Sequence, residues 1–234
     1  MANPDPSDEL PIEAALRSSG RQLNILWSKL AGIKPPASHD SAKEGECVRI
    51  LFTAAEHGAG TTTVACAAAL GLARNLDDSV GLVETNLYAP GMARYLGMDP
   101  TPGLTDCLDG RVEASEAIRN SMVERLYVLN AGTQREPIPG ELMRDPARRL
   151  FREAAANRRY LLIDAPPLID RPESAIQLAT ADYVVFVTRA RSTQRGKARR
   201  AMQMILDSGT EVLGVVLNRF KSDLPFGKGA ENWS

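Results

Sequence analysis

The sequence predicts an α/β fold: a parallel, mostly buried central sheet with helices on both faces. Three features carry that expectation. Short apolar runs recur at Cys47–Thr53, Val80–Val83, Leu126–Asn130, Tyr160–Ile163, Tyr183–Val187 and Val212–Leu217. Most are apolar at successive positions, as strands covered on both faces must be, and stretches of helical character separate them, the alternation that winds a parallel sheet. Between the first run and a long alanine-rich helix lies Ala54-Ala55-Glu56-His57-Gly58-Ala59-Gly60-Thr61-Thr62-Thr63. Glycines in such a strand–turn–helix frame let backbone N–H groups close round a phosphate at the helix N-terminus. A lysine then reaches the terminal phosphates, and a Ser or Thr hydroxyl holds Mg²⁺. Gly58 and Gly60 are in place and Thr62 stands at the hydroxyl position, but the lysine position is Thr61.

Taken in order, residues 1–10 are polar, contain two prolines and are expected to be mobile. Ile12, Leu16, Leu23, Leu26, Trp27 and Leu30 recur at helical spacing, an amphipathic helix over about 12–31 weakened by Gly20. Residues 32–46, with Pro35-Pro36, read as a linker. The helix is thereby set apart, either to pack back on the main body or to be offered to a neighbour. The body spans 47–220, and 221–234 form a flexible tail. Thr61–Asn75 is the helix leaving the glycine turn, and the strand Val80–Val83 ends in Glu84-Thr85-Asn86. Gly91–Leu96 and Leu104–Leu108 read as short helices, and Ile138-Pro139-Gly140 as a turn. Pro146–Asn157 is a helix with many exposed arginines, and Arg195–Leu206 is the helix between the last two strands.

Composition bounds the function. A chain of 234 residues with 44% apolar content fits one large α/β domain with a small appendage. A formal charge of −1 and 5% aromatics give no footprint for nucleic acid. Cys47, Cys66 and Cys107 lack metal-like or disulfide-like spacing, and His39 and His57 are the only histidines to join them. No apolar run is long enough to span a membrane, and the first residues lack a signal-peptide pattern. A cytoplasmic protein is the expectation.

Ligands of such a sheet bind beyond the carboxyl ends of its strands. Four segments fall there: the loop 56–63, the turn Glu84–Asn86, Asp164 and Asn218. The candidates to hold a cofactor are Gly58, Ala59, Gly60, Thr61, Thr62, Thr63 and Asn218. Thr62, Glu84 and Asp164 are the candidates for Mg²⁺, and Asp164 is the one residual catalytic candidate. Each has a plainer reading beside it. Gly58 and Gly60 can simply shape a turn, and Thr62 can cap a helix. Glu84 can face solvent at a strand end, Asp164 can accept from nearby backbone N–H groups, and Asn218 can be a turn residue. His57 reads as an exposed loop residue. Arg189, Arg191, Arg195, Lys197, Arg199 and Arg200 form a basic run: a solvated face, a docking surface for an acidic segment, or a distant source of the missing charge.

From about Cys47 to Phe220 the sequence resembles the bacterial tyrosine kinases of capsule and exopolysaccharide synthesis, within the partition- and septum-type P-loop ATPases. The resemblance rests on Gly58-Ala59-Gly60-Thr61-Thr62-Thr63, Glu84-Thr85-Asn86-Leu87-Tyr88-Ala89-Pro90 and Gly103-Leu104-Thr105-Asp106-Cys107-Leu108-Asp109-Gly110. Leu162-Ile163-Asp164-Ala165-Pro166-Pro167 and Val212-Leu213-Gly214-Val215-Val216-Leu217-Asn218 complete it. It implies a P-loop NTPase fold of the deviant Walker type, ATP or ADP with Mg²⁺ as cofactor, and adenine contact at Asn218. The departures fall on catalysis. Thr61 replaces the lysine, Glu84 and Asn86 stand where the family has Asp, and Tyr88 and Ala89 replace arginines. The tail lacks the family's tyrosine cluster, and Glu13, Arg17 and Arg21 give only a shifted version of its ring-assembly pattern.

A lysine about 4 Å from a phosphate oxygen contributes on the order of 4 kcal/mol at an effective dielectric of ~20, roughly three decades of affinity. The expectation is therefore a pseudokinase on the cytoplasmic segment of a membrane polysaccharide co-polymerase, peripheral to the inner membrane through that partner, with a homo-oligomer as a further partner that the family's ring-assembly pattern implies. It would regulate synthesis or export of an exopolysaccharide or capsule-type polysaccharide. The alternative is an active tyrosine autokinase or ATPase that recruits its cation elsewhere. A positioning ATPase of the partition or septum type ranks last, because its signature lysine position is Glu56 and the tail has too few apolar residues to target a membrane.

Overall fold

The computed structural model describes residues 10–16, 20–34, 47–76, 78–138, 140–171 and 174–219. The expectations for the first residues, for most of the linker and for the tail lie outside them. Among the described residues seven strands form one sheet, in the order β3-β4-β2-β5-β1-β6-β7. These are β1 (Val48–Ala54), β2 (Val80–Glu84), β3 (Arg119–Asn120), β4 (Leu126–Leu129), β5 (Tyr160–Asp164), β6 (Tyr183–Arg189) and β7 (Glu211–Asn218). Every neighbouring pair is parallel except β3 with β4. The fold class is the expected one. The short antiparallel β3 is an addition, too brief and too polar to show in an apolar pattern.

Alternate residues of the central strands feed two cores. Val48, Ile50 and Phe52 of β1, with Tyr160 and Leu162 of β5, face one side. Leu51, with Leu161 and Ile163, faces the other. The first side is covered by α1 (Pro11–Leu16), α2 (Gly20–Ala31), α3 (Thr61–Asn75) and α4 (Met92–Leu96). The second carries α5 (Leu104–Leu108), α6 (Ala114–Ala117), α7 (Asp145–Ala155), α8 (Ala175–Leu178) and α9 (Arg195–Asp207). Sequence reading placed α3, α5, α7 and α9 within two residues at each end, whereas α6 and α8 are single turns without a readable period.

The N-terminal helix packs back on its own body. Helix α3 is buried without a break from Val64 to Ala73, so it needs cover on the side away from the sheet. Helix α2 provides it, with the Trp27 indole lying directly over Gly71 and its Nε1 donating to the Ala67 carbonyl at 2.9 Å. The segment that follows is held from below the sheet. The Tyr160 hydroxyl donates to the Ala31 carbonyl and the Tyr183 hydroxyl to the Lys34 carbonyl, both at 2.9 Å. Glu13 of α1 pairs with Arg74 at the far end of α3.

Candidate functional site

The loop between β1 and α3 is built as a cradle. Gly58 (φ 81°) and Gly60 (φ 91°) both adopt left-handed backbone that favours glycine. Gly60 is the N-cap of α3, its carbonyl accepting from Val64 N at 3.1 Å. Thr61, Thr62 and Thr63 form the half-buried first turn, and no side chain caps it. Asn218, at the end of β7, leans across the loop and donates from Nδ2 to the Ala59 carbonyl at 2.9 Å. A β-carbon on Gly60 would stand 2.0 Å from that same Nδ2, so a side chain here would also have to displace Asn218 from the Ala59 carbonyl. The four segments that the sequence placed at the strand ends do converge here.

Neighbouring chain holds the loop from both flanks. The segment after β5 runs alongside it, with Ala165 N donating to Phe52 O, Leu168 N to Ala54 O and Thr53 Oγ1 to Pro166 O, each at 2.9 Å. His57, exposed as expected, donates its backbone N–H to Asp170 at 2.7 Å. Glu56 accepts from Lys197 Nζ at 2.8 Å and from Gln194 N at 3.4 Å, which pins the start of α9 to the loop. One residue of the basic run thus brings a cation to the loop, although that charge is already matched by Glu56. Arg171 lies over the Tyr88 ring at 3.8 Å, beside the position where the sequence lacks arginine. Asp170 and Arg171 were not assigned to the site from sequence, because only tertiary contact joins them to it; Glu56 and Lys197 were named separately, and their pairing is what the fold adds.

The two acids of the crevice are cross-strand partners, Glu84 on β2 beside Asp164 on β5. Glu84 does not face solvent. It is buried and turned under the following loop, accepting from Gly91 N at 2.6 Å, Met92 N at 2.9 Å and Ala131 N at 3.3 Å. It therefore caps α4 and ties β2 to the end of β4. Burial raises its pKa, and the three backbone bonds oppose the rise. Asp164 is fully buried, and neither carboxylate oxygen completes a hydrogen bond with any described residue. Burial, then the charge of Glu84, push its pKa well above the usual carboxylate range. The nearby Thr62 hydroxyl works against that rise without closing a well-formed bond. Two carboxyls side by side in a low-dielectric site disfavour joint ionisation. Asn86 is buried beside them and donates to the Ala89 carbonyl at 3.4 Å. Among the described residues no group of three or more His, Cys, Asp and Glu is arranged to hold a metal ion. No helix among them is long and apolar enough to cross a membrane.

Comparison with known proteins agrees with this architecture. The model of the ParA family described as NUBPL iron-transfer P-loop NTPase matches residues 48–225. A tyrosine-protein kinase CpsD from Streptococcus agalactiae is 27% identical over 208 residues, covering 85% of this chain and 90% of that protein. The kinase domain of the Escherichia coli tyrosine kinase ETK superposes with a TM-score of 0.66 at 21% identity, over 79% of this chain and 73% of that one. The septum site-determining protein MinD of Pyrococcus horikoshii, complexed with Mg-ADP, superposes with a TM-score of 0.61 at 21% identity, over 76% and 72% of the two chains. This chain belongs to the ParA family of P-loop NTPases, and its curated relatives are bacterial tyrosine-protein kinases.

Proposed function

We propose that this chain is a non-catalytic, pseudokinase-like member of the tyrosine-kinase group. It engages the cytoplasmic segment of a membrane polysaccharide co-polymerase and so regulates synthesis or export of an exopolysaccharide or capsule-type polysaccharide. The observation that carries this reading is the charge of the crevice. The loop keeps its left-handed glycines, while the position of its cation is the neutral Thr61. A bound Mg–nucleotide would rest its phosphates on the loop and its metal by Thr62 and Asp164, and would supply the charge that phosphoryl transfer needs. The residues present do not fit that use. Glu84 already accepts from three backbone N–H groups, and the buried Asp164 favours its neutral form. The partner and the polysaccharide follow from the family resemblance, which runs through the sheet and its loops.

A second reading is an active autokinase or ATPase of the same group. The two unpartnered oxygens of Asp164, beside Thr62, favour it, since a metal would satisfy them. Calorimetric titration with ATP and ADP, with and without Mg²⁺, separates the two. The native chain is expected to show no binding tighter than about 1 mM, and Thr61→Lys to gain roughly a hundredfold or more. Native binding near 10 μM or tighter, with tyrosine phosphorylation lost in Asp164→Ala, would overturn the pseudokinase reading.

A further inference from the structure

Acids of the chain itself are fixed against the glycine loop, where a phosphate would need cations. After β5 the chain runs along the end of β1, with Leu168 N donating to Ala54 O at 2.9 Å and Ile169 N to Ala55 O at 3.0 Å. That ladder brings Asp170 to the loop, where its carboxylate accepts from His57 N at 2.7 Å. The preceding residue, Glu56, is held through both carboxylate oxygens by the start of α9. Its Oε1 accepts from Gln194 N at 3.4 Å and its Oε2 from Lys197 Nζ at 2.8 Å.

The three charged groups act on one another. The Lys197 pKa is raised, by the hydrogen bond and charge of Glu56 first and by the charge of Asp170 last. Two carboxylates thus share one ammonium, and the cluster is net negative. Glu56 and His57 stand two residues and one residue before Gly58. At 3.8 Å per step their Cα atoms lie within ~8 Å of that of Gly58, comparable with the screening length at physiological salt. Backbone N–H groups at a helix start draw an anion in, and a net negative cluster at this range opposes it.

We propose that Glu56 and Asp170 determine the specificity of this crevice, as two fixed carboxylates that exclude di- and triphosphates from the loop. The inference rests on the non-catalytic reading and deepens it. Thr61 in place of lysine removes an attraction, whereas the two acids add a repulsion, and the cation that α9 brings is committed to Glu56. The same contacts brace the loop, together with the Asn218 amide on the Ala59 carbonyl, so its shape is set by the chain and not by a bound nucleotide. Bracing alone needs acceptor oxygens, and exclusion needs their charge. Isosteric amides separate the two.

Amide NMR titration of the full chain with pyrophosphate, read at Gly58 and Gly60, tests the proposal. Glu56→Gln with Asp170→Asn keeps an acceptor oxygen at each bracing contact and removes both charges. This double variant is expected to bind roughly tenfold more tightly than the native chain at low salt. The gain should vanish near 1 M salt, where the screening length falls to ~3 Å. Lys197→Met should act in the opposite direction and weaken binding. As a second measurement, calorimetry with ADP in a Thr61→Lys background should show the same two substitutions adding a further tenfold or so. Glu153→Gln, an exposed acid at the far end of α7, should change neither result. Equal affinities with and without the two acids, or a gain that persists undiminished at high salt, would overturn the proposal and leave the non-catalytic reading standing. Native binding of ADP near 10 μM would overturn that reading and the exclusion with it.

Discussion

Asp164 shows how much of the site is decided by one residue's surroundings. The sequence puts an acid at the end of β5, and nothing in the sequence tells a metal ligand from a helix-capping or backbone-bonded acid. Buried without partners, and beside Glu84, it holds a proton in the native state that the unfolded chain releases above about pH 3.9. The sign follows from linkage. Stability is full below that unfolded pKa and falls as pH rises through the higher folded one. Asn at the same position carries no charge and escapes the loss. Asp164→Asn is therefore expected to be more stable than the native protein near neutral pH, with the difference closing toward about pH 4. Urea unfolding over a pH series measures this directly, and parallel profiles for the two proteins would show that burial does not raise the Asp164 carboxyl above its unfolded value. Glu84 differs from its neighbour in kind: its pKa is also raised by burial, but its three backbone donors give it a structural duty that removing the side chain would abolish.

At the scale of elements, the match of sequence to structure follows from what each element depends on. Strands β1, β5 and β6 were legible because burial on both faces forces continuous apolar residues, and α3 because its alanines follow a glycine turn. The fate of α2 was not legible, since an amphipathic face says that it must be covered and not by what. The answer lies in one notch, where Trp27 sits on Gly71. A β-carbon added at Gly71 would come 1.9 Å from the Trp27 ring. Inside a helix, Gly→Ala normally stabilises by about 1 kcal/mol. Here Gly71→Ala is expected to destabilise, because the indole must leave its seat and the bond to the Ala67 carbonyl. Trp27→Ala alone should cost about 2–3 kcal/mol, less than the 3–5 typical of a fully buried aromatic because the ring is only half-buried. With Trp27→Ala in place, Gly71→Ala should turn stabilising. A double-mutant cycle from denaturant unfolding reads the reversal, and simple additivity would refute the notch.

For the whole molecule, the same packing changes what counts as the domain. The sequence reading divides the chain into an appendage, a linker and an α/β body, a division drawn from Pro35-Pro36 and the low apolar content beside them. The contacts cross that division at both ends of the sheet-covering layer. Ile12 and Leu30 are buried in the same core as Val48, Ile50 and Tyr160, and the tyrosines of β5 and β6 donate to carbonyls at 31 and 34. A body lacking 1–34 would leave the outer side of α3 uncovered along Ala67 and Gly71, where Trp27 now lies, with two tyrosine hydroxyls deprived of their acceptors. Cooperative units are set by shared buried surface and not by linker composition. Scanning calorimetry of the full chain is accordingly expected to show one transition that includes the N-terminal helices. Deletion of residues 1–34 should lower the melting temperature and increase binding of a hydrophobic dye. A truncated protein that melts where the full chain does, without added dye binding, would mean that the helices rest on the body without stabilising it, and the division read from the sequence would stand.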